Sequence, residues 1–328
     1  MAAQHARKKV RNKFGQLKFQ SIKHLFMVDY NRHCRTFLAK NFAIDAQNLH
    51  SDVYDLDVHA LPVVALFLFS PSCKSYSNNG KTEGEAHKEG EVAWVAMAYL
   101  DIHRPLMFAF EQVKEFMNYD IWRKILQVLL SFQCYEFRHA LLGGATHGGV
   151  PQTRVRLFGW GIQRLVSTGL VVPAPLAWHL RLEDLLDLDD VGSADDLPAD
   201  SVGLPNLIDA LKKTMSLDPL NKLLVFDLYG TKCSVYCKGV FPTITAARAG
   251  GRGYFLSSLL RFSKLHELVR LMDMPPHKLD WEGVSPRQQG MMLGNSIVVP
   301  VGSRVLQSLL LKALVAQSLD AQSIKDQL

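Results

Sequence analysis

Between His24 and Ile162, short apolar runs alternate with stretches of helical period, and no other feature of the chain limits its fold as strongly. His24-Leu25-Phe26-Met27-Val28 reads as a strand ending at Asp29, and a helical stretch follows from Cys34 to Asn41. Leu61 to Phe69 and Leu106 to Phe110 are runs too short and too uniformly apolar for surface helices. They fit strands buried on both faces. Between them, Val92, Val95, Ala96 and Tyr99 recur at helical spacing. Val113 to Phe132 reads as an amphipathic helix, and Tyr135 to Ala140 and Val155 to Ile162 as two further strands. Such alternation predicts an α/β fold with a mostly parallel sheet and helices on both faces. Ligands of these sheets bind beyond the carboxyl ends of the strands.

The pattern breaks after residue 164. Residues 165 to 205 mix Pro173, Pro175, Pro198 and Pro205 with an acidic run from Glu183 to Asp200, which carries eight acids and no base. This stretch reads as an irregular linker. Short β-type segments follow between Lys222 and Phe255, among them Val225–Tyr229, Ser234–Tyr236 and the glycine-rich Ala249–Phe255. The expected organisation is a first domain over 1–164, a smaller strand-containing domain over 165–275, and a return over 276–328 to the first domain. Leu265 to Met272 and Ser303 to Leu314 read as helices.

The net charge of +6 permits a polyanionic partner without demanding one. Arg7, Lys8, Lys9, Arg11 and Lys13 crowd the N-terminus, either as a nucleic-acid or nuclear-localisation patch or as a solvated face. The N-terminus lacks a signal-peptide core and no apolar stretch approaches the length of a membrane span, so a soluble intracellular protein with no membrane partner is expected. Five scattered cysteines suit reduced thiols rather than a disulfide framework. Cys233-x-x-x-Cys237 has no second ligand pair nearby, so no metal is expected.

Cys73 sits in Ser70-Pro71-Ser72-Cys73-Lys74, just past a strand end. Glu111 follows the next strand, 38 residues on (111−73), and Gln152-Thr153-Arg154-Val155-Arg156 begins 79 residues on (152−73). Leu293-Gly294-Asn295-Ser296 comes near the end. A cysteine, a carboxylic acid and paired cations are groups that can supply a nucleophile, a proton and stabilisation of developing charge. In order and spacing these motifs resemble the cytosine-C5 DNA methyltransferase family, over roughly residues 20 to 315.

The resemblance implies a Rossmann-like catalytic domain that binds S-adenosylmethionine, a smaller target-recognition domain, and a cytosine flipped out of DNA. By position, Cys73 resembles the nucleophile, Glu111 the acid at N3, and Arg154 and Arg156 the pocket cations. Asp29 and Asp52 match the family's acids on the cofactor ribose and adenine, Leu100 a leucine packed on the cofactor, and Asn295 the motif that closes its pocket. Gln152, Arg248 and Arg252 are the expected DNA contacts, with the acidic run facing away from the duplex. In a eukaryote the nucleus would be its compartment.

Four departures accompany the likeness. Phe14-Gly15-Gln16 is not the family's opening Phe-x-Gly-x-Gly cofactor loop, so weak cofactor binding is expected. Ser72 replaces a proline, Lys74 a glutamine, and Gln112 an asparagine that normally helps to hold the nucleophile loop. Lys74 would either raise the thiolate fraction of Cys73 or crowd the flipped base. Besides an active enzyme, two readings stand open. One is a catalytically impaired homologue that binds DNA or stabilises a partner. The other is one part of a split enzyme whose missing cofactor motif lies on a second chain. An RNA substrate is less favoured, because the second half lacks a Cys-Phe-Thr motif.

Overall fold

The computed structural model describes residues 23–42, 44–72, 92–166, 169–230, 233–236 and 239–327. The chain forms two compact units. One, the sheet unit, comprises residues 23–142, 155–175 and 301 onward; the other comprises 143–154 and 176–300. The expected boundaries at 164 and 275 are therefore displaced. Residues 143–154, expected in the first domain, and 276–300, expected to return to it, both fold with the second unit.

In the sheet unit, β1 (Met27–Val28) pairs in parallel with β2 (Leu49–His50), and α1 (Arg32–Asn41) lies between them in sequence. A second sheet has the order β3-β4-β6-β5, built from β3 (Leu66–Phe69), β4 (Met107–Val113), β5 (Tyr135–Gly143) and β6 (Val155–Gln163). β3 and β4 are parallel, while β6 runs antiparallel to β4. Helices α2 (Val92–His103) and α3 (Asp120–Ser131) contribute Tyr99, Leu100, Ile121, Trp122, Ile125 and Leu129 to one apolar core with Phe108 and Phe110.

All seven residues of β4 are buried; the apolar run through Phe110 predicts this for Met107–Phe110, and Glu111 and Gln112 are buried as polar residues. Two glycines of β6 make room for it. Phe110 and Phe108 lie opposite Gly159 and Gly161. A Cβ on either glycine would come within 2.4 Å of the facing phenyl ring. Several expected elements begin later than their apolar patterns suggested, two of them by five residues or more. The run from Leu61 becomes strand only at Leu66, because Pro62 has no N–H for a ladder and its carbonyl accepts a 2.6 Å bond from the Tyr99 hydroxyl. The helix expected from Val113 starts at Asp120, since Val113 still pairs with Arg156 on β6 and a 3₁₀ turn covers Lys114–Asn118.

The second unit carries an antiparallel sheet of order β10-β9-β7-β8: β7 (Val225–Asp227), β8 (Ser234–Tyr236), β9 (Phe255–Leu256) and β10 (Arg261–Phe262). A helix unforeseen in the sequence, α4 (Gly203–Thr214), buries Leu207 and Ala210 against Phe226, Leu228 and Phe255. Next in sequence come α5 (Ala246–Ala249), α6 (Leu265–Leu271) and α7 (Pro286–Asn295). α5 and α7 meet backbone to backbone: a Cβ on Gly294 would stand 2.1 Å from the Ala246 nitrogen. Helix α8 (Val299–Gln327) closes the described chain. Among the described residues, no single helix is long and apolar enough to cross a membrane.

Candidate active site

The carboxyl ends of β3 and β4 stand side by side, and their last residues are tied together twice. Leaving β3, the Ser70 hydroxyl donates to the Glu111 carboxylate (Oε2, 3.0 Å) and to the Glu111 carbonyl (3.1 Å). From the next position on β4, Gln112 donates through Nε2 to the Pro71 carbonyl at 2.9 Å, while its Oε1 accepts from the Val113 amide at 2.8 Å. Consecutive strand residues point to opposite faces, so Glu111 and Gln112 engage the loop from two sides. Both are buried, with 6% and 1% of their surface exposed. The structure thus gives Gln112 a grip on the Ser70–Pro71 backbone with a side chain one methylene longer than asparagine.

Arg156 completes this cluster. It lies opposite Val113 on β6, and Val113 shares a face with Glu111. Its Nε reaches 3.2 Å from Glu111 Oε1. That contact lacks hydrogen-bond geometry, and Oε1 is otherwise an unsatisfied buried oxygen. Buried oxygens without a donor are uncommon and call for an explanation such as a ligand. Cys73, the expected nucleophile, and Lys74 lie outside the described residues.

The acids expected to hold a cofactor occupy a second pair of strand ends. Asp29 leaves β1, its amide donating to the His50 carbonyl of β2 at 3.2 Å, and Asp52 stands two residues past β2. Each carboxylate closes a local turn: Asp29 Oδ1 accepts from the Asn31 amide at 2.8 Å, and Asp52 Oδ1 from the Tyr54 amide at 3.0 Å. Burial raises the Asp29 carboxyl above its ordinary range, partly offset by the Asn31 amide and by a hydrogen bond from Cys34. Burial, then the Asp29 charge, pushes the Cys34 thiol up to about 12, so this cysteine is a proton-bearing donor rather than a nucleophile. Two half-buried acceptors at neighbouring parallel strand ends suit the hydroxyls and amine of an adenosine, so the donor set fits that part of S-adenosylmethionine. Leu100 does not join them. It has no exposed surface and belongs to the core, which corrects its expected place against the cofactor. Asn295 is the exposed last residue of α7 in the second unit.

The segment before β6 also departs from expectation. Gln152, expected to touch DNA, is fully buried, donating to the Leu271 carbonyl at 3.3 Å and the Met272 sulfur at 3.5 Å. Its backbone bridges to Phe241. Arg154, expected as a pocket cation, is 4% exposed and donates through Nη1 to the carbonyls of Ile244 (2.9 Å) and Gly294 (3.0 Å). Both side chains serve as struts within the second unit. Arg248 pairs with Asp227 at 2.6 Å, and Arg252 with Asp200 at 2.7 Å and the Tyr229 hydroxyl at 3.0 Å. The acidic run is therefore no separate outward face: Asp200 neutralises Arg252 itself. Asp187 pairs with Arg270 and His266, and Asp190 with Arg261 and Lys264. Runs of like charge in sequence do not reveal such partners, which come from β10, from α6 and its N-cap, and from the turn after α5. Ser70 was likewise legible only as part of a loop, since its partner lies 41 residues away. Among the described residues, no group of three or more histidine, cysteine or acidic side chains could hold a metal ion.

The family profile described as C-5 cytosine-specific DNA methylase matches residues 11–175, half of the chain. The chain is 24% identical over 166 residues to the type II methyltransferase M.DsaV of Dactylococcopsis salina, a match covering 50% of this chain and 46% of that protein. It is 30% identical over 111 residues to the type II methyltransferase M.BsuFI of Bacillus subtilis, covering 33% of this chain and 27% of the relative. The chain thus spans less than half the length of these curated relatives. Among solved structures, its fold resembles the Dnmt2 methyltransferase of S. pombe, with a TM-score of 0.56, 17% identity, and coverage of 88% and 90% of the two chains. It also resembles the Entamoeba histolytica methyltransferase EhMeth, with a TM-score of 0.60, 15% identity, and coverage of 92% and 93%. At these identities the two structures speak for the fold alone.

Proposed function

Because this chain belongs to the C-5 cytosine-specific DNA methylase family, we propose that it transfers a methyl group from S-adenosylmethionine to C5 of a cytosine flipped out of DNA. The observation that carries the reading is Glu111: a buried carboxyl near the end of β4, bonded through Oε2 to Ser70 in the loop that runs to Cys73, with Oε1 beside Arg156 and accepting no hydrogen bond.

Each residue has a defined task. The Cys73 thiolate adds to C6 of the ring, forming a carbon–sulfur bond and sending an electron pair towards N3. Glu111 supplies the proton at N3, so the ring becomes an enamine with a nucleophilic C5. Arg156, held beside Glu111, places its charge where the pyrimidine O2 gains electron density. Gln112 fixes the loop backbone ahead of the nucleophile. Asp29 and Asp52 would hold the ribose and adenine. Bound S-adenosylmethionine supplies an electrophilic methyl group on a sulfonium. Arg248 and Arg252 are the proposed DNA contacts.

An impaired homologue, or one part of a split enzyme completed by a second chain, is the second reading. It draws support from Ser72 and Lys74, which stand where the family's motif carries a proline and a glutamine. Gln112 does not support it, since the bond to Pro71 supplies a tether that the lost asparagine would have been needed for. Incubation of the full chain with duplex DNA and cofactor carrying a tritiated methyl group tests the proposal. Label recovered as 5-methylcytosine is expected. DNA that binds but stays unlabelled would transfer support to the second reading.

A further inference from the structure

We propose that Ser70 is a positioning residue for the acid of the reaction: its hydroxyl sets the rotation of the Glu111 carboxyl and so determines which oxygen is presented to the base. This rests on the methyl-transfer reading of the site and adds a residue to it. The last torsion of a glutamate side chain is broad and roughly two-fold, so packing alone does not choose between its oxygens. Here the two oxygens have different surroundings. Oε2 accepts from Ser70 at 3.0 Å, whereas Oε1 has only the off-axis Arg156 Nε at 3.2 Å. The hydroxyl also contacts the Glu111 carbonyl at 3.1 Å, which anchors Ser70 to the residue it orients.

Direction matters chemically. An acid that delivers a proton to a ring nitrogen must present one oxygen at hydrogen-bond distance through the addition step. With Oε2 engaged by Ser70, Oε1 is the oxygen left for the ring. Gln112 acts at the same junction in the opposite sense, from strand to loop, and holds Pro71 rather than the carboxyl. Losing Gln112 therefore loosens the loop, whereas losing the Ser70 hydroxyl frees the acid.

The test uses the full chain with Ser70→Ala and Ser70→Thr. Ser70→Ala should lower kcat about 10-fold, the worth of one hydrogen bond to a charged group. KM for DNA and the dissociation constant of S-adenosylhomocysteine should stay within about two-fold, and Ser70→Thr, which keeps the hydroxyl, should recover most of the rate. Added to Glu111→Gln, Ser70→Ala should cause no further loss, because the group it orients is gone. A crystal structure of Ser70→Ala should show the Glu111 carboxyl turned away from its wild-type plane. An unchanged kcat, an equal loss in the Glu111→Gln background, or an unmoved carboxyl would each overturn the assignment. If the wild type transfers no methyl group, the proposed function fails and the crystal structure alone decides the role of Ser70.

Discussion

Arg154 and Arg156 stand two residues apart in one motif, yet they belong to different compact units and do different work. Arg156 starts β6 with its guanidinium beside the Glu111 carboxyl group at a strand end. Arg154 spends its guanidinium on two backbone carbonyls, those of Ile244 and Gly294. The contrast teaches that residue type and spacing locate a motif without dividing its labour. One arginine meets the Glu111 carboxyl at a strand end, and the other holds a unit together.

Substitutions in the two regions should fail in opposite ways. Glu111→Gln should cut kcat by about 10²- to 10⁴-fold, the usual worth of a general acid. Its thermal midpoint should change little, and steady-state kinetics beside calorimetry would check both. Arg154→Met should instead destabilise the fold by about 2–5 kcal/mol, since it leaves two buried carbonyls without their donor. Urea denaturation would measure this. If Arg154→Met kept its stability and lost only turnover, the division between the two arginines would be wrong.

Gln112→Asn sharpens the comparison at the loop. The shorter amide should no longer reach Pro71 from this backbone, and kcat should fall about 10-fold through loss of one buried hydrogen bond. A rate equal to or above wild type would mean that the backbone closes the gap and the tether survives.

Much of the sheet unit was readable in advance because its buried strands are uniformly apolar and its helices periodic. β4 and the helices α2 and α3 follow from those patterns, and Glu111 stands out as an acid at the end of such a strand. The unread parts depend on partners distant in sequence. Leu100 looks the same in a sequence whether it faces a cofactor or Tyr99 and Phe108. Gln152 is polar in composition, but its partners at Leu271 and Met272 lie 119 and 120 residues away. Helix α4 was hidden by Pro205 within its first turn, a position where proline is tolerated.

Smaller effects are expected where charges are already paired. On DNA binding, Arg252→Ala should lower the slope of log K against log salt by less than the ~0.9 of a free phosphate-binding cation, because Asp200 competes for it. Fluorescence anisotropy across a salt series reads this, and a full ~0.9 would mean that Asp200 yields completely. Asp200 itself is held near a pKa of about 2, first by the Tyr229 hydroxyl and then by the Gly203 amide. A carboxyl depressed in the folded state stabilises above its unfolded pKa of about 3.9 and loses that contribution as pH falls towards 2. The difference in thermal midpoint between wild type and Asp200→Asn should therefore be full near pH 5 and shrink below about pH 4.

The most direct test of the account is covalent trapping on a duplex containing 5-fluorocytosine, in the presence of S-adenosylmethionine, followed by denaturing electrophoresis. Wild type should give a shifted protein–DNA band; Cys73→Ser should give none, and Glu111→Gln a band that accumulates far more slowly. The absence of any adduct from wild type, or an adduct that persists in Cys73→Ser, would contradict the claim that this chain performs cysteine-mediated attack on cytosine.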